Sequence, residues 1–177
     1  MKKALMFLFT LCMAVVLFVP SATAAEIVSS GTCGENVTWT LDDAGTLTIS
    51  GTADMEDYDS ANAVSWSNIR SSITAVVIKD GVTAIGRYAF CWCTNLKEVT
   101  IGKDVVHIGE SAFSFCYSLT DITIPDSVTS IDNDAFHYCK SLISVKLSDG
   151  ITPIRRCTNT APESTLWAES PTPPMTS

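Results

Sequence analysis

From Ile73 onward the apolar residues return in register every 23 positions, and Ile73, Leu96, Leu119 and Leu142 each open a unit. The units read ITAVVIKDGVTAIGRYAFCWCTN, LKEVTIGKDVVHIGESAFSFCYS and LTDITIPDSVTSIDNDAFHYCKS; a fourth begins as LISVKLSDGITPI and then loses the pattern. Apolar columns that recur at a fixed period of this length are the signature of a solenoid.

Each unit has one internal grammar. Late alternation places Val76 and Ile78, Val99 and Ile101, and Ile122 and Ile124 on one face of a first strand. Turn residues follow: Asp80-Gly81, Lys103-Asp104 and Pro125-Asp126-Ser127. A second short strand carries Val82 and Ile85, Val105 and Ile108, or Val128 and Ile131. Gly86, Gly109 and Asp132 come next, residue types that tolerate the left-handed conformation of a sharp corner. The unit closes on Ala-Phe (Phe90, Phe113, Phe136) and a cysteine (Cys93, Cys116, Cys139), a segment expected to form one helical turn. A lone unit buries too little to offset the entropy of ordering its backbone, so the units must stack and share ladders.

These columns (L-x-x-V-x-I, V-T-x-I-G, A-F-x-x-C) and their period resemble the BspA-like leucine-rich-repeat family, over roughly residues 30–154. The upstream segment SGTCGENVTWTLDDAGTLTISG also resembles the cap that precedes such repeats in secreted bacterial members. The resemblance implies a right-handed repeat stack, export, and a role in adhesion or surface recognition. It brings no shared catalytic residues. The expected fold is a leucine-rich-repeat solenoid, mainly β with short helical or 3-10 turns, of about three and a half repeats behind a β-hairpin cap.

Residues 1–24 read as a signal peptide: Lys2 and Lys3, an apolar run from Ala4 to Val19, a breaking Pro20, and the small-x-small site Ala22-Thr23-Ala24. Cleavage removes two lysines and no acid, taking the net charge from −8 to −10. So acidic a chain disfavours nucleic acid and anionic membrane surfaces. Stable membrane insertion after cleavage is not expected, and the predicted location is extracellular or the bacterial cell surface.

Residues 25–72 should cap the first repeat. Val37–Leu41 and Thr46–Ser50 alternate across Asp42-Asp43-Ala44-Gly45 as a hairpin, with Trp39, Leu41, Leu47 and Ile49 covering the stack. Residues 52–72 read as a polar loop with Trp66 and Ile69 tucked inward. The repeats are expected over 73–154. Residues 155–177, rich in Pro, Thr and Ser, read as a disordered tail. Its abrupt start has two readings: a truncated or frame-shifted longer array, or a linker that ends the chain. An uncovered last coil would favour self-association through the C-terminal coil.

Six cysteines remain after cleavage. Cys93, Cys116 and Cys139 share one interior column, where a stacked ladder points thiols in parallel and disfavours bridges. Cys91 shares a column with Ser114 and His137, so it is expected to face outward, reactive or paired. Cys33 and Cys157 cannot be paired from sequence. Cys91-Trp-Cys93 with His107 lacks zinc spacing, and His107 and His137 read as solvated. Asn36-Val-Thr38 matches a glycosylation sequon but falls in a predicted strand. No nucleophile elbow, phosphate loop or HExxH motif occurs, so no enzyme activity and no cofactor or metal is expected.

The outward positions of the first strands remain: Ala75 and Val77, Glu98 and Thr100, Asp121 and Thr123, Ser144 and Lys146. In a solenoid such columns line one continuous face, the usual surface for extended recognition. The candidate binding face is Glu98, Thr100, Asp121, Thr123, Ser144 and Lys146, for an extracellular protein or glycan. The alternative is a solvated face on a passive spacer.

Overall fold

The computed structural model describes residues 25–146. The predicted signal peptide, the end of the fourth unit, Cys157 and the tail lie outside them.

The chain opens with three antiparallel strands, β1 (Ile27–Gly34), β2 (Val37–Asp42) and β3 (Thr46–Gly51). The predicted hairpin is β2–β3, and β1 adds a strand in front of it. β3 then pairs in parallel with β4 (Ala75–Ile78), the first strand of the first coil, Leu47 opposite Val76 and Ile49 opposite Ile78. The hairpin is thus a coil that donates its sheet edge to the repeats.

Each coil contributes a first strand and a two-residue second strand. The first strands are β4, β6 (Glu98–Thr100), β8 (Asp121–Thr123) and β10 (Ser144–Lys146). The second are β5 (Ala84–Ile85), β7 (His107–Ile108) and β9 (Ser130–Ile131), one continuous parallel ladder. The first-strand ladder is interrupted: β4 pairs with β6 and β8 with β10, but no pairing joins β6 to β8.

The core is the set of apolar columns, capped in kind. Phe90, Phe113 and Phe136 stack with centroids 5.1 and 5.4 Å apart. Trp66 extends that column, lying on Phe90 at 5.7 Å and donating its indole N–H to the Ala89 carbonyl at 3.0 Å. The loop after β3 is not simply polar: Met55, Tyr58 and Val64 are buried with Trp66, Ile69 is half-buried, and Ser67–Ser72 is a 3-10 helix. This loop also bonds along the second-strand side, with Met55 N–H to the Ala84 carbonyl and Tyr58 N–H to the Arg87 carbonyl. It fills the place of a preceding coil.

The corner of each coil differs from the sequence expectation. Gly86 and Gly109 are not left-handed. Gly86 is there for space, since a Cβ on it would fall 1.9 Å from the Glu56 carbonyl oxygen. Positive φ occurs later, at Tyr88, Ser111 and Asp134 (60°, 55°, 58°) and again at Trp92, Phe115 and Tyr138 (66°, 61°, 55°). These paired inversions replace the predicted helical turn with consecutive tight turns. In the first coil Ala89, Cys91 and Cys93 donate within the coil, to Gly86, Tyr88 and Phe90. Between them Tyr88, Phe90 and Trp92 donate to Glu110, Ala112 and Ser114 of the next coil, and the second coil repeats the pattern onto the third. Every amide is used, alternately inward and onward.

Candidate functional site

The candidate binding face lies on the first strands. Glu98, Thr100, Asp121, Thr123 and Lys146 are exposed, while Ala75, Val77 and Ser144 are half-buried. Register places Asp121 beside Ser144 and Thr123 beside Lys146. Glu98 and Thr100 pair instead with Ala75 and Val77. The six residues thus form two groups, divided by the unpaired β6/β8 boundary.

That boundary is a cleft of about 520 Å³ whose walls include Lys97, Glu98, Thr120, Asp121 and Thr123. At the matching place in neighbouring coils an amide bonds back to the preceding coil, Lys97 to Thr74 at 2.9 Å and Ile143 to Thr120 at 2.8 Å. Thr120 makes no such bond among the described residues. A steric cause lies at the end of the strand. Gly102 packs so closely on the first coil that a Cβ would fall 2.6 Å from the Lys79 carbonyl oxygen. The third coil has Pro125 at this position, with a ring and no N–H. It cannot repeat the approach, and the strands part.

The opposite, turn-bearing side carries a second feature. Trp92 and Phe115 stack with centroids 4.2 Å apart and planes 4° from parallel, and Tyr138 continues the column at 5.2 Å. Trp92 is 41 % exposed and Tyr138 39 %. Beside the column runs a groove of about 350 Å³. Asp59 and Asn62 of the cap loop close one end, and Asp134 and His137 stand at the other. All three aromatic residues are left-handed, a conformation suited to Gly or Asn that costs a larger residue about 1 kcal/mol or more.

Cys91 does not face outward. It is 6 % exposed and lies in the groove floor, with its thiol pushed up to about 11 by burial. The polar column misled the expectation, because Ser114 is buried too and donates to the Asp134 carbonyl at 2.6 Å. Cys33, Cys91, Cys93, Cys116 and Cys139 are free thiols. Cys116 and Cys139 donate to the Phe90 and Phe113 carbonyls, and burial raises Cys33 and Cys93 to about 12. Cys139 differs in direction, lowered by its hydrogen bond with Cys116, but it is fully buried. The histidines are half-buried rather than fully solvated: His107 bonds Ser130 at 2.8 Å and lies 3.4 Å from Asp132. Asn36 stands in the β1–β2 turn, not in a strand. Among the described residues no group of acids, histidines and cysteines is arranged to hold a metal.

The model of the BspA type leucine-rich repeat region matches residues 63–158. The chain belongs to this family. Its coils resemble those of a leucine-rich repeat protein from Eubacterium ventriosum ATCC 27560, with 25% identity and a TM-score of 0.50 over 68% of this chain. A leucine-rich repeat protein from Bacteroides capillosus ATCC 29799 aligns over 67% of this chain and 99% of its own, with 25% identity and a TM-score of 0.44. A leucine rich cell surface protein from Faecalibacterium prausnitzii A2-165 aligns over 71% of this chain, with 28% identity and a TM-score of 0.38. The chain spans 44% of the length of the Eubacterium protein and 44% of the Faecalibacterium one. No curated protein matches.

Sequence reasoning about this BspA-type chain missed the aromatic column. The signal was present, since Trp92, Phe115 and Tyr138 recur at the 23-residue spacing. They sit between core positions Phe90 and Cys93 in each unit and read as filler for a helical turn. The inverted backbone turns them outward.

Proposed function

We propose that this chain is an exported recognition module that binds an extracellular protein through its first-strand face. The observation that carries the reading is the β6/β8 cleft. It opens at Glu98, Asp121 and Thr123, whose exposed side chains line one surface beside the interrupted ladder. The predicted signal peptide and the cell-surface relative support an extracellular or cell-surface location, and adhesion to host or microbial surfaces is the corresponding role. Among the described residues no helix is long and apolar enough to cross a membrane.

The test is binding of the full chain to immobilised matrix proteins, compared with a variant carrying Thr100→Ala, Asp121→Ala and Thr123→Ala together. All three side chains are exposed, so the variant should fold normally and lose most of its binding. Equal binding by the two proteins would sink the reading. A second reading, a spacer within a longer surface protein, is favoured by the 44% span of the Eubacterium relative.

A further inference from the structure

The groove on the turn side joins two kinds of surface that seldom meet by accident. One wall is aromatic and rigid: stacking on Phe115 covers one face of the Trp92 indole and turns the other toward the cap loop. The rim is polar and mixed. Asp59 offers acceptors, the Asn62 amide N–H groups have no partner among the described residues while its oxygen accepts from Arg70 at 2.9 Å, and Ser111 offers a hydroxyl. At the far end His137 Nδ1 stands 3.8 Å from Asp134, beyond hydrogen-bond reach, and has no hydrogen-bond partner among the described residues.

The lining carries two carboxylates, Asp59 and Asp134, while the Arg70 guanidinium is held just behind the rim by Asn62. A cation would leave the Asn62 amide N–H groups unused and would lie near the Arg70 guanidinium behind them. An anion would meet two carboxylates. A neutral ligand with a flat apolar face and a rim of hydroxyls fits both walls. The backbone adds an independent argument. Left-handed positions favour Gly or Asn, yet three coils in succession hold Trp, Phe and Tyr there, with two of the rings well exposed. Strain kept at solvent-facing rings points to a use for the rings.

We propose that this groove is a carbohydrate subsite that takes a neutral pyranose, its C–H face laid on Trp92 and its hydroxyls turned to Asp59, Asn62 and Ser111. The volume, about 350 Å³, is at the lower end of small-ligand pockets and suits a short saccharide rather than a protein segment. The site is separate from the strand face and does not depend on it.

The test begins with the full chain on an array of printed neutral glycans, followed by calorimetric titration of the oligosaccharides that bind. Trp92→Asn is the informative variant, because Asn accepts the left-handed backbone and should preserve the fold. The expected result is saturable binding of a neutral glycan, about tenfold or more weaker in Trp92→Asn. Asp59→Ala, on the exposed cap loop, should weaken it independently, and the triple strand-face variant should leave it unchanged. Absence of any neutral-glycan binding would overturn the proposal. So would unchanged, wild-type affinity in both groove variants, loss of binding in the strand-face variant alone, or a stronger response to choline or a lysine peptide than to any sugar.

Discussion

The two long sides of this solenoid hold together differently, and the second-to-third coil boundary shows it best. On the turn side Ser111, Phe113 and Phe115 donate to Asn133, Ala135 and His137 across that boundary, at 3.2, 2.7 and 2.8 Å. Phe113 and Phe136 stack directly beneath. On the first-strand side the same two coils share no ladder. Cohesion is concentrated on one side, so the other can part without dissolving the stack. Repeat proteins are often pictured as uniform ladders; at this one boundary the turn side carries the stacking and the first-strand side is released from it.

The largest effect should come from breaking the cohesive side. Phe113→Ala removes a fully buried ring from between two others and should cost about 3–5 kcal/mol, read as a lower midpoint in urea. A loss below about 1 kcal/mol would mean that the phenylalanine column does not hold the coils.

Alkali should act on the same side. Burial holds Cys93 near 12, so the folded state keeps its proton more tightly than the unfolded chain, whose thiols ionise near 9. That contribution is complete below about pH 9 and lost as pH rises toward 12, by on the order of 1 kcal/mol per pH unit. Thermal melts in reducing buffer should fall across this window, and Cys93→Ala should flatten the fall. An equal slope in the variant would assign the loss elsewhere.

The smallest change in stability should come from closing the open side. Pro125→Gly removes the ring that stands where the second coil has Gly102, and it should let β8 approach β6. Amide exchange at Thr120 and Asp121 should slow, while the unfolding midpoint moves by no more than about 1 kcal/mol. Unchanged exchange would show that the cleft has another cause.

The period and the core columns were legible in the sequence because burial is column-wise. Ile73, Leu96 and Leu119 are all fully buried, as the spacing requires. The corner was not legible. A glycine at 86 fits a left-handed bend as readily as a close contact, and only the Glu56 carbonyl above it decides. Cys91 was misplaced because its column holds Ser and His, and polarity stood in for exposure. A buried serine satisfied by the Asp134 carbonyl cannot be told from a solvated one by residue type. The candidate face was readable as a set of outward positions, but its division was not. That division depends on what Pro125 meets in another coil, a contact that local pattern does not encode.

The alternation of amides between Gly86 and Cys93 bears on how such a chain can change over generations. Inserting or deleting one residue there would exchange the two sets, turning onward donors inward and inward donors onward, along with every ring and thiol between them. Single-residue length variation in this stretch is therefore not a small perturbation but a reversal. An array of this kind should grow and shrink by whole coils, by duplication or loss of complete 23-residue units.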